Sequence, residues 1–159
     1  MKKGWRELIS TKFEFDRDDY TLVLGEESPS DAIQEIEKAL GLSFPKELIS
    51  LYREVNGFGL ADDEGIVSWA IPRLEEMASF VARIRDWIGT AHPEVASRFL
   101  PVFDWGDGSA IGFLQSPRGR WFGSLYQFEH DLMSGDPEQD LHSFMTLSSR
   151  SVRHFIQGR

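Results

Sequence analysis

Three apolar runs in the back third of the chain constrain its fold most: Leu100 to Trp105, Ala110 to Gln115 and Trp121 to Phe128. Only Gly106-Asp107-Gly108 and Pro117-Arg118-Gly119, with their flanking residues, separate them. Glycine supplies the positive φ and aspartate the local acceptor that tight turns need. Connections this short join antiparallel neighbours, because a parallel pair needs a long crossover. The spacing therefore predicts an antiparallel meander over residues 100–128.

The front of the chain has helical spacing instead. Residues 5–11 suit a short helix, and residues 13–24, with Phe13, Phe15, Tyr20, Leu22 and Leu24 around a charged middle, read as an irregular or weakly extended lead-in. Ser28-Pro29-Ser30-Asp31 has the form of a helix start, with Ser28 as cap and Pro29 at the first helical position. Ile33, Ile36 and Leu40 follow on one face, and Gly41 suits a left-handed end. A second helix runs from Pro45, with Leu48, Leu51, Tyr52 and Val55 as its stripe and Asn56-Gly57 as its stop. Gly65 to Ile71 is rich in β-branched and aromatic residues and reads as a strand. Pro72 opens the longest helix, striped by Leu74, Met77, Val81, Ile84 and Ile88, with Glu75 and Glu76 near its start and Arg83 and Arg85 near its end. A closing helix from about Ser148 carries Val152, Phe155 and Ile156. Helices, then a meander, then a helix form an α+β pattern: an antiparallel β-sheet flanked by helices. No repeat or linker-like tract appears. The expected organisation is a lead-in over residues 1–27 packed on one domain over 28–159.

Charge excludes more than it assigns. The formal net charge is −9, against the basic footprint of a nucleic-acid binder. Residues 25–64 hold ten acidic and three basic side chains, a net −7. That concentration reads either as a solvated helical face or as an acidic face that steers a basic partner. With no cysteine in the chain, a disulfide framework, a cysteine zinc site and a thiol nucleophile are excluded. Neither a signal-peptide run behind Met1-Lys2-Lys3 nor a membrane-length apolar stretch is present. The expectation is a cytoplasmic protein with no membrane partner.

Chemistry-bearing motifs are scarce in the chain. His92, His130, His142 and His154 form no paired metal motif, and neither a phosphate loop nor a nucleophile elbow is present. Asp62-Asp63-Glu64 lacks the alternation of a calcium loop and reads as solvated. Asp104 and Asp107 are carboxylates three apart around glycines, which read as a β-turn before a metal site. Trp105 is expected on or near the sheet, and Trp69, Trp87 and Trp121 mostly in the core.

The run from Ser30 through Ala39-Leu40-Gly41, then Phe44-Pro45 and Leu51 to Asn56-Gly57-Phe58-Gly59, resembles the SUKH superfamily, the domains similar to the fungal Smi/Knr cell-wall regulator. Leu100 to Phe113 is similar to the family's central hairpin, and Val152 to Ile156 to its closing helix. Phe44-Pro45 stands where Leu-Pro is usual, Phe58 replaces a second glycine, and the closing helix lacks its first aromatic. The resemblance implies an α+β domain without enzymatic activity or cofactor. It also implies a binding role: many bacterial members bind and neutralise toxins, often nucleases, and fungal members regulate cell-wall synthesis and growth signalling through protein partners.

Two binding roles follow as expectations. As an immunity protein, the chain would meet a basic toxin domain through Glu26, Glu27, Asp62, Asp63 and Glu64, with Asp104 and Asp107 next in order. As a regulatory module for a host protein, it would bind through loops at Phe58-Gly59 or Trp105. A metal-dependent hydrolase using Asp104 and Asp107 is the third reading.

Overall fold

The structure, a computed structural model, describes residues 2–13 and 19–158. The lead-in around Phe15 falls partly outside the described residues. The chain divides into two compact units: residues 1–78 with 152–159, and residues 79–151.

The first unit holds helix α1 (Trp5–Lys12), strand β1 (Thr21–Leu24), helices α2 (Ser30–Leu40) and α3 (Lys46–Glu54), and strands β2 (Phe58–Ala61) and β3 (Val67–Ile71). Helix α4 (Leu74–Gly89) begins there and runs past the division. Helix α6 (Val152–Gln157) returns the chain to this unit. Strands β1, β2 and β3 form an antiparallel sheet in that order. The expected α3 stripe is the core: Leu48, Leu51, Tyr52 and Val55 are fully buried, beside Ile9, Phe58 and Ile156.

The second unit continues with helix α5 (Pro93–Arg98) and strands β4 (Phe99–Asp104), β5 (Ala110–Gln115), β6 (Trp121–Phe128) and β7 (Met145–Ser149). They form a four-stranded antiparallel sheet in sequence order. Ile84 and Ile88 of α4 pack with Phe99, Phe128, Phe144 and Met145.

The α+β reading stands, with two antiparallel sheets rather than one. Several local expectations change. Ser28 does not cap α2: its own N–H pairs with the Tyr52 carbonyl at 3.1 Å. The helix begins at Ser30, so Pro29 takes the cap position with extended backbone. Gly41 does end α2, at φ 69°. Phe58-Gly59 is not a loop but buried strand β2, so it offers no exposed binding loop. Ser148 lies in β7, and the closing helix starts at Val152. Trp69, Trp87 and Trp121 are only half-buried, whereas Trp5 is buried and donates its indole N–H to Ser50 Oγ at 2.9 Å. An indole carries a polar N–H as well as a large apolar face, so the rim of a core suits it.

Candidate functional site

The carboxylates singled out in the sequence fall in three places. Glu26 and Glu27 are exposed where β1 leaves the first sheet. Asp62, Asp63 and Glu64 form the β2–β3 turn. Asp104 and Asp107 flank the β4–β5 turn in the second unit.

Register separates the first two groups. Thr21 pairs with Ala61 and Leu24 with Phe58. Asp62 thus lies beyond one end of the β1–β2 ladder and Glu26 beyond the other. At ~3.3 Å per residue, six residue steps put about 20 Å between them. They are two acidic groups at opposite ends of a sheet, not one cluster.

The carboxylates also differ in how free they are. Asp62 Oδ1 accepts the N–H of Glu64 at 3.0 Å and of Ile66 at 2.8 Å. It therefore holds the hairpin, while Asp63 and Glu64 are exposed. Asp104 Oδ1 accepts the Gly106 N–H at 2.8 Å, and its Oδ2 accepts from Arg83 Nη2 at 2.9 Å. Asp107 Oδ1 accepts the Ser109 N–H at 2.9 Å. Gly106 and Gly108 have φ of 78° and 96°. This is a tight hairpin loop with the glycine and aspartate roles expected from the sequence, closed by the Trp105 N–H on the Ser109 carbonyl at 3.2 Å, with both carboxylates bonded to backbone. Among the described residues, no group of three or more His, Asp or Glu is arranged to hold a metal. Trp105, on the same turn, is 42% exposed.

Glu27 also borders an open cleft of about 620 Å³ lined by Lys46, Ile49, Ser50, Arg53 and Glu54. Lys46, Ile49, Ser50 and Arg53 recur at three- and four-residue steps, so they form the face of α3 opposite its core stripe. The cleft carries two acids and two bases, which offset one another. Glu54 is further engaged by α1, accepting the Arg6 N–H at 2.9 Å.

Asn56 has a role that its reading as a helix stop does not contain. Its Oδ1 accepts the N–H of Leu74, the first residue of α4, at 2.8 Å. Its Nδ2 donates to the Glu75 carboxylate at 3.1 Å, and its N–H donates to the Glu26 carbonyl at 2.8 Å. One residue thus caps a helix eighteen residues downstream with its side chain and holds the backbone at Glu26 with its own N–H. The Asn-Gly pair advertised only a turn, because the partner of its side chain is set by the tertiary fold.

A family model described as the SMI1 / KNR4 family (SUKH-1) matches residues 28–156. The chain belongs to this family. A comparison with curated proteins gave no match. SUKH-1 membership supports a protein-binding domain of the immunity or regulatory kind. Among the described residues, no helix is long and apolar enough to cross a membrane.

Proposed function

We propose that this SUKH-1 domain is a cytoplasmic immunity protein that neutralises a toxin of the nuclease type by stoichiometric binding. The family match over residues 28–156 carries the reading. Charge supports it, because a nuclease needs a basic surface to hold phosphates, and residues 25–64 hold a net −7. An interface of standard size covers ~800 Å² per partner, about 30 Å across. That is wide enough to span the two acidic groups of the first sheet.

The test is co-expression with the protein encoded immediately upstream. Cell survival and a one-to-one complex support the proposal; continued killing overturns it. Neutralising Glu26, Glu27, Asp63 and Glu64 together then lowers the association rate at low salt by roughly tenfold and flattens its salt dependence. Asp62 is left intact because it holds the hairpin. An unchanged rate removes these residues from the interface.

The exposed Trp105 favours a second reading, a regulatory module for a host protein. Recovery of a host enzyme with the wild-type chain but not with Trp105→Ala supports that reading.

A further inference from the structure

The second sheet is electrically polar along its strands. Arg118 and Arg120 sit at the β5–β6 hairpin, and Arg150 leaves β7 toward the same end. All three are exposed, and among the described residues none of their side chains makes an ion pair or hydrogen bond. Arg98 adds a fourth positive charge at that end, donating to the Gln115 carbonyl at 2.8 Å. At the opposite end lie Asp104, Asp107, Glu129 and Asp131. Residues 99–159 carry a net charge of only −2, and that small sum hides two poles.

An apolar strip adjoins the basic pole. Phe122 is 39% exposed and Leu147 is 69% exposed. Tyr126, half-buried, lies between them: its ring centroid is 6.1 Å from that of Phe122, and its cross-strand partner is Leu147. Because β7 pairs only with residues 125–128 of β6, the edge of residues 122–124 is left without a β7 partner. Aromatic anchors beside arginines are the composition of interface hot spots.

We propose that this end of the second sheet is a docking surface for an acidic protein segment bearing apolar anchors. Guanidinium forks meet carboxylates in paired hydrogen bonds, and among the described residues these three guanidiniums have no carboxylate partner. A nucleic acid fits less well. A phosphate chain laid along β6 would pass from Arg120 onto Glu129 and Asp131 within about 30 Å, and the whole chain repels polyanions. The proposal goes beyond the immunity reading, since it concerns a surface of opposite sign and does not require the partner to be a toxin.

The probe is a fluorescein-labelled dodecapeptide of Glu and Asp with Leu and Trp at its centre. Its Gln/Asn counterpart and a twelve-nucleotide deoxythymidine strand serve as comparisons. Fluorescence anisotropy with the full chain at low salt is expected to show the acidic peptide binding roughly tenfold or more tighter than the uncharged one, with the difference shrinking as salt rises. Arg118→Glu/Arg120→Glu, and separately Arg150→Glu, are expected to lose that difference while keeping the thermal midpoint of the parent; the two variants lie on different elements, so a folding defect in one leaves the other decisive. Equal binding of both peptides overturns the proposal, as does unaltered binding by the folded reversal variants. Tighter binding of the nucleotide strand assigns the surface to nucleic acid instead. Self-association of the chain at low salt, abolished by the same reversals, assigns it to a second copy.

Discussion

The carboxylate of Glu47, on α3, caps helix α6 from 105 residues away: Oε2 accepts the Val152 N–H at 3.1 Å and Oε1 the Arg153 N–H at 2.9 Å. The first amides of a helix have no partner within it, and a negative charge there also suits the helix dipole. Arg153 completes the attachment, donating to the Lys3 carbonyl at 2.8 Å and lying 4.3 Å over the Trp5 ring.

Glu47→Ala is therefore expected to cost about 1–2 kcal/mol, seen as a fall in thermal midpoint of about 3–6 °C. Glu47→Gln keeps an acceptor oxygen and should cost less. A melting curve for Glu47→Ala that overlays the parent would refute the capping role.

Gly108 and Gly41 both have positive φ but predict different costs. At Gly41 a Cβ meets nothing within 4 Å, so Gly41→Ala should cost only the backbone strain, about 1 kcal/mol. At Gly108 a Cβ would overlap the Trp87 ring and come within 3.2 Å of the His130 ring. Those two rings already stand 4.2 Å apart. Gly108→Ala should cost about 2–4 kcal/mol, strain plus overpacking. Equal urea midpoints for the two variants would contradict this difference.

Tyr52 predicts a pH dependence. Its buried hydroxyl donates to the Pro72 carbonyl at 2.7 Å. Burial, and secondarily the negative charge of Glu75, raise its pKa well above the ordinary 10.0. Above that pH the unfolded phenol ionises while the folded one stays protonated, so the unfolded state binds fewer protons. The contribution of Tyr52 is thus fully present below about pH 10 and is lost progressively as pH rises beyond it. Tyr52→Phe should lose about 1–2 kcal/mol at neutral pH and show a shallower decline in alkali. Parallel stability curves for the two proteins above pH 10 would rule this out.

The sequence declared those elements whose limits are local. Strands β5 and β6 have the predicted ends, because glycine turns punctuate them, and Gly41 stops α2 for the same reason. Strand β7 was not legible: it is a short edge with Met145 and Leu147 as its only apolar residues, and nothing marks it before β6 pairs with it. Helix α5 was hidden because Pro93 reads equally as an exit and as a first helical residue. Strand β2 follows a strong turn pair, which makes Phe58 read as loop. At the candidate surfaces, residue type was legible and company was not. Asp62 and Asp63 are neighbours of identical chemistry, yet one is bound to backbone and the other exposed. The basic pole escaped because its arginines come from separate stretches of an acidic chain.

The division of the chain has a consequence for its biosynthesis. The second unit is continuous in sequence, whereas the first is interrupted between residues 78 and 152. A ribosome delivers residues in order, so residues 79–151 emerge complete before α6 does. Glu47 waits through all of that synthesis for the two amides that it holds. The inserted unit can reach its final pairing on the nascent chain, while its host is finished only once α6 has followed it.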